Sequence, residues 1–313
     1  MAWFIIGKVG GGNVLMIKFT HTYQNIISLD NLLVAWKEFR NGKRSRKDVQ
    51  VFENDLMRNI FQLHEDLVSK NYRHSKYITF KISDPKPRVI HKAKVKDRLF
   101  HHVLHRALYP FFDKKFINDS YSCRVAKGPH AALERFHEFF FKVSKNDTRT
   151  AWVLSEVINS FELSTSKGLP LGNLTSQLFA NIYMDRFDKF VKHVLNIKFY
   201  IRYADDFVFM SHDKNSLLEL LPKIRTFLLE QLCLELHEHK ILIRTLVSGI
   251  DFLGWVHFFD HRVLRTATKR RMFRNIKLRC GNKETIQSYL GTISHGNTYK
   301  LQQEISKLVS RAI

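Results

Sequence analysis

Tyr203-Ala204-Asp205-Asp206 lies between two largely apolar runs, Phe199-Tyr200-Ile201-Arg202 and Phe207-Val208-Phe209-Met210. Flanks rich in aromatic and β-branched residues read as strands, so the tetrapeptide reads as a hairpin tip with two adjacent carboxylates. Like charges at a tight turn repel unless something positive binds there. Divalent metal meets that need, and two-metal sites serve in-line phosphoryl transfer. An ordinary polar turn produces the same dipeptide, because Asp favours turns on its own account. The tetrapeptide alone does not choose between them.

Charge narrows the choice. Lys and Arg number 51 against 29 acids, a formal net charge of +22, and they are spread along the whole chain. Such a surface suits a phosphate backbone rather than a local targeting signal. With 44% hydrophobic residues and 26 Phe, the chain is a globular protein and not a disordered basic tail. Its 313 residues can bury one large core or two smaller ones. A membrane-surface protein is the competing explanation of the charge, but no apolar run is long enough to span a bilayer and no lipidation motif occurs. Cys123, Cys233 and Cys280 are far apart, without a Cys-x-x-Cys, which argues against structural zinc and a disulfide framework. A cytoplasmic setting is expected. The pairs His101-His102 and His237/His239 lack the further ligands of a zinc site.

Along the chain, Trp3-Phe4-Ile5-Ile6 is too short for a signal-peptide core and Gly10-Gly11-Gly12 reads as a flexible joint. Residues 1–15 are expected to be a non-native leader, with the domain starting at Met16. Val49, Phe52, Leu56, Ile60, Leu63 and Leu67 describe one face of an amphipathic helix. Residues 77–82 and 88–90 read as strands joined by Ser83-Asp84-Pro85-Lys86-Pro87, with basic residues beside the turn. A helix from Lys96 to Leu108 is expected to stop before Pro110. Strands are expected at 150–154, 199–203, 207–210 and 241–243, a helix at 174–194, and basic helix from Thr266 onward. Hairpins and helices without regular alternation indicate an α+β fold.

Upstream of the Asp pair, Gly168-Leu169-Pro170-Leu171-Gly172-Asn173-Leu174-Thr175-Ser176-Gln177 precedes an apolar helix. Its glycines allow close backbone approach, and its Asn, Thr and Ser can cap the helix. In this order and spacing the two elements resemble those of reverse transcriptases, in particular the diversity-generating retroelement lineage and its bacterial relatives. The resemblance covers residues from about 20 to 300, by the order of motifs along the chain. It implies a right-hand polymerase, with fingers at 16–149, palm at 150–262 and a short basic helical thumb at 263–313. Tyr203-Ala204-Asp205-Asp206 resembles the catalytic box, with Asp205 and Asp206 as ligands of two Mg2+ ions. Gly172, Ser176 and Gln177 resemble the Gly-x-x-x-Ser-Gln motif that positions template and nucleotide, beside Tyr203. Lys86 and Arg88 fall on the fingers hairpin that grips the triphosphate, and Arg124 and Lys127 on the next fingers motif. Lys240 resembles the lysine near the leaving pyrophosphate, Phe252-Leu253-Gly254-Trp255 the primer grip, and Lys269-Arg270-Arg271 with Ser288-Tyr289-Leu290-Gly291 the start of the thumb.

One family feature is missing. These enzymes carry a further aspartate on a central palm strand, followed by a helix-containing crossover before the Gly-rich motif. Thr150-Ala151-Trp152-Val153-Leu154 resembles the start of that strand, yet residues 155–167 contain no aspartate. Ser155-Glu156-Val157-Ile158-Asn159-Ser160-Phe161 resembles instead the helix just before the Gly-rich motif. A deletion near 154–156 is the simplest account, and it implies an incomplete palm. Glu156 is a poor replacement: it is one methylene longer, and metal geometry is sensitive to such displacements. Asp147 lies before the strand, in a polar turn.

Two functions follow. One is an RNA-directed DNA polymerase using Mg2+, deoxynucleotides and a DNA or RNA primer on an RNA template. The other is an inactive relic that still binds nucleic acid, with affinity that falls with salt. Group II intron proteins, retrons and phage-defence reverse transcriptases share the Asp box, and the Ser176-Gln177 ending favours the diversity-generating lineage, which implies a template-repeat RNA and a small basic accessory protein as partners.

Overall fold

The computed structural model describes residues 19–82, 88–144, 151–159, 173–237, 241–278 and 282–310. The leader expected at 1–15 lies outside them. The chain divides into two compact units, one drawn from 1–116 with 168–182, the other from 117–167 with 183–313.

The first unit is mainly helical. Helices α1 (Tyr23–Ile27), α2 (Leu29–Arg40), α3 (Lys47–Asn54), α4 (Leu56–Val68) and α5 (Val95–Asp113) enclose a core that includes Leu32, Trp36, Ile60, Leu63, Leu99 and Val103. The single helix expected over 49–67 is two helices, broken at Asp55 (φ −125°, ψ 43°). Asn59 Nδ2 donates to the Phe52 carbonyl at 3.0 Å, a side-chain bond that competes with continuation of the helix. Val49, Ile60, Leu63 and Leu67 nevertheless all face inward. Helix α5 does not stop before Pro110 but runs to Asp113. The proline costs one backbone bond in the last turn, and that turn is held by ring contact of Phe111 with Phe19 at 5.3 Å. Strands β1 (Ile78–Ile82) and β2 (Arg88–Lys92) form the expected antiparallel hairpin, with Ile82 opposite Arg88.

The second unit is built on a sheet of β3 (Ser120–Tyr121), β4 (Trp152–Asn159), β5 (Tyr200–Tyr203), β6 (Asp206–Ser211), β7 (Glu235–Leu236) and β8 (Leu242–Thr245). Its order is β3-β5-β6-β4, with β7 and β8 both pairing β4 on the far side. Only the β3–β5 pair among these is parallel. Helix α6 (Pro129–Ser144) covers one face, where Phe136, Phe140, Val153, Ile201, Val208 and Met210 meet. The C-terminal half of α7 (Leu174–Lys189) and α8 (Lys214–Leu232) cover the other, with Leu154, Phe187, Tyr200, Phe207, Phe209 and Leu228. Both faces of the central strands are therefore buried. This is why 207–210 reads as a continuous apolar run and not as an alternation.

Residues 155–159 are strand, not the helix that 155–161 resembles. Ser155 to Val157 continue the pairing with β6, and Ile158 and Asn159 pair with β7. Ladder bonds on both sides and β-branched Val157 and Ile158 favour the strand over local helix propensity. Strand β4, which starts with the residues that resemble the palm strand, lies inside the sheet, paired with β6 on one side and with β7 and β8 on the other.

Beyond the sheet, β9 (Ile250–Phe252), β10 (Trp255–His257) and β11 (Arg262–Leu264) form a small antiparallel sheet. Leu253 and Gly254 make its first turn at φ 51° and 84°. Helices α9 (Thr266–Leu278), α10 (Lys283–Ile293) and α11 (Tyr299–Ser310) follow around Met272, Ile276, Ile293 and Ile305. No helix among the described residues is long and apolar enough to cross a membrane.

Candidate active site

Strands β5 and β6 pair in register, Tyr203 opposite Asp206, so Ala204 and Asp205 form the tip of the hairpin. Ala204 takes a left-handed conformation, φ 55°, which costs a side-chain-bearing residue energy that glycine would not pay. Its carbonyl accepts a 3.0 Å bond from Arg202 Nη1.

Arg202 is the one arginine or lysine among the described buried strand residues, and it is fully buried together with Asp188 of α7. Nε donates to Asp188 Oδ1 at 2.8 Å and Nη2 to Oδ2 at 2.6 Å, a two-point ion pair. Nη2 also donates to Ser120 Oγ at 2.9 Å, and the Tyr200 hydroxyl donates to Asp188 Oδ1 at 2.7 Å. Burial pulls the Arg202 guanidinium down, but the charge and hydrogen bonds of Asp188 outweigh it and hold it above the usual arginine range. Burial, then the Asp188 charge, pushes the Tyr200 phenol well up. The sequence reading missed this pair. Its signal was an arginine inside an otherwise apolar strand, one residue before the hairpin box.

Because β3 and β5 run parallel, with Tyr121 opposite Tyr203, the loop after Tyr121 leaves the sheet at the same end as the Asp tip. Ser122, Cys123 and Ala126 in that loop all have positive φ (82°, 55° and 58°). Arg124 Nη1 donates to the carbonyls of Ile117 and Ser120, each at 2.9 Å. Lys127 Nζ donates to Asn118 Oδ1 at 2.7 Å and lies over the Tyr121 ring. Both cations thus brace the loop that carries them. Burial raises the Tyr203 phenol, against a hydrogen bond with Ser122.

The second unit therefore brings Tyr203, Asp205 and Asp206 to one end of its sheet with the loop of Arg124 and Lys127. Arg88, Ser176 and Gln177 belong to the first unit. There Asn173, just before α7, donates from Nδ2 to the His91 carbonyl of β2 at 3.2 Å, and Ser176 and Gln177 fall in the first turn of α7. Lys86, Gly172 and Lys240 lie outside the described residues.

Carboxylates are the donors that a hard divalent cation takes, so Asp205 and Asp206 suit magnesium in kind. In number they fall short: among the described residues no group of three or more His, Cys, Asp or Glu is placed to hold a metal ion. On β4 the residue in register with Asp206 is Val157, and Glu156 is in register with Phe207.

A model of the family described as reverse transcriptase (RNA-dependent DNA polymerase) matches residues 81–257, from the end of β1 through β10. The chain belongs to the reverse transcriptase family. Comparison with curated proteins finds no match. The matched segment takes in the last residues of β1, all of β2 and the Asp205–Asp206 hairpin, and it ends at His257. Membership of the reverse transcriptase family carries a nucleotidyltransferase fold with nucleic acid and nucleotides as its partners.

Proposed function

We propose that this reverse transcriptase family member carries out RNA-directed DNA synthesis, adding deoxynucleotides to a primer 3′-hydroxyl on an RNA template. The observation that carries the reading is the carboxylate tip Asp205–Asp206, set on a sheet buried on both faces in a chain of net charge +22. The primer oxygen attacks the α-phosphate in line and pyrophosphate leaves. Lys86, Arg88 and Lys240 are assigned to the negative charge of the triphosphate, and Arg124 and Lys127 to further contacts with nucleotide or template. Gly172, Ser176, Gln177 and Tyr203 are assigned to positioning of nucleotide and template. Asp205 and Asp206 are the residues that would hold Mg2+. Residues 16–149, 150–262 and 263–313 are assigned as fingers, palm and thumb. The Ser176-Gln177 ending supports a diversity-generating type of element, with a template-repeat RNA and a small basic accessory protein, and the three dispersed cysteines support a cytoplasmic setting.

A second reading is favoured by one observation, Val157 in the register position facing Asp206. It is a chain that holds primed RNA without extending the primer. The test is primer extension with Mg2+ on an RNA template, beside Asp205→Ala, with RNA binding followed across a salt series. The expected result is extension that Asp205→Ala abolishes without loss of RNA binding. Salt-sensitive binding with no extension above the Asp205→Ala level would establish the second reading. Absence of both would overturn each.

A further inference from the structure

We propose that Arg202 is a positioning residue that sets the direction of the two carboxylates by holding the left-handed turn at Ala204, and that Asp188 in turn holds Arg202. The inference rests on the reading of Asp205 and Asp206 as the reactive carboxylates.

The hairpin tip needs an external tie. Two like charges sit next to one another after a residue in a conformation that disfavours any side chain. A free turn of this kind relaxes by rotating Ala204 out of the left-handed region, and both carboxylates rotate with it. Arg202 Nη1, at 3.0 Å from the Ala204 carbonyl, opposes that rotation, since the carbonyl moves with ψ of Ala204.

The tie is rigid for three reasons. Arg202 and Asp188 are each fully buried, so neither exchanges partners with water. The guanidinium is planar, so the two bonds to Asp188 fix the plane in which Nη1 points at Ala204. Ser120 Oγ and the Tyr200 hydroxyl add a bond to each member of the pair. A buried charge pair adds little net stability compared with apolar residues of the same volume. What it supplies here is a fixed direction for one backbone carbonyl beside the reactive pair.

Lysine at 202 keeps the charge but cannot bond both Asp188 oxygens and Ala204 together. In Arg202→Lys, kcat for primer extension is expected to fall about 100-fold, the scale of a small misplacement of reacting groups, with KM for the deoxynucleotide nearly unchanged. Amide exchange at 203–206 is expected to quicken while 207–210 stays protected. Glycine removes the conformational penalty at the turn, so Ala204→Gly placed in the Arg202→Lys background is expected to recover part of kcat and slow the exchange. Should Arg202→Lys fail to fold, Ser120→Ala leaves the Asp188 pair intact. It removes one bond, and exchange at 203–206 is expected to rise about fivefold.

Arg202 would be merely structural if exchange quickened equally at 203–206 and 207–210, or if Ala204→Gly recovered nothing. Unchanged exchange at the turn in every variant would also overturn the proposal. A wild-type chain that does not extend primers would refute the polymerase reading only, because exchange at the turn is read without turnover.

Discussion

Val157 of β4 stands directly opposite Asp206 of β6, in the antiparallel register that runs from Trp152–Ser211 to this pair. Opposed residues on neighbouring antiparallel strands come within about 5.5 Å at Cα. Position 157 is thus the β4 position in register with Asp206. Glu156, one step back, shares its register with Phe207 and not with Asp206.

From this register, Val157→Asp is expected to add the acid that the described residues lack. Mg2+-dependent extension should rise above wild type by at least about tenfold, and Mn2+, followed by its electron spin resonance, should bind more tightly. Glu156→Asp, which shortens the neighbouring acid, should not reproduce either gain. Equal gains from both substitutions would show that acidity near the hairpin matters and the register does not.

The basic helix α9 gives a second prediction. Arg270, Arg274 and Lys277 are exposed and fall at i, i+4 and i+7, on one stripe of the helix, while Met272 and Ile276 are buried. Such a stripe suits a phosphate backbone. Neutralising all three to Gln should weaken binding of primed RNA irrespective of its sequence. The slope of log affinity against log salt should become shallower by roughly 2 to 3, about 0.9 for each duplex phosphate contact released. An unchanged slope would exclude the stripe from the binding surface.

How far the sequence announces all this differs from element to element. The β5–β6 hairpin was legible because its flanks are apolar on both faces and its tip is not. The β1–β2 hairpin was legible from the Pro-containing turn between two β-prone runs. The break at Asp55 was hidden because inward residues at Val49, Ile60, Leu63 and Leu67 keep their helical spacing through it. The strand at 155–159 was hidden for a different reason. Its conformation is imposed by ladder bonds from β6 and β7, which lie far away along the chain. Arg202 stood within an otherwise apolar strand, and only the arrival of Asp188 from α7 shows why a cation is tolerated there.

Asp188→Ala is predicted to be the most destabilising single change at the hairpin. It strands a fully buried guanidinium and the Tyr200 hydroxyl at once. Breaking one side of a buried pair costs about 3–5 kcal/mol. Urea unfolding should show that loss. Asp188→Ala combined with Arg202→Leu should recover part of it, because an apolar side chain leaves no uncompensated charge. If the double variant were no more stable than Asp188→Ala, the cost would lie in lost packing rather than in the stranded charge.

His257 makes stability depend on pH. It is fully buried on β10, 4.6 Å ring to ring from Phe136. Burial first, then the charges of Arg262 and His137, lowers its pKa from 6.5 to about 3. The unfolded chain therefore takes up a proton at His257 below pH 6.5 that the folded chain refuses. Stability from this residue is complete above that pH and declines as the pH falls toward 3, where the folded form also protonates. At pH 5 the decline is about 2 kcal/mol relative to neutral pH. Other histidines titrate in the same window, so the contribution is read as a difference against His257→Leu. Unfolding free energies from urea titrations at about pH 8 and about pH 5 should converge in the variant by that amount. If wild type and His257→Leu lost equal stability over the interval, His257 would not be a source of the acid sensitivity.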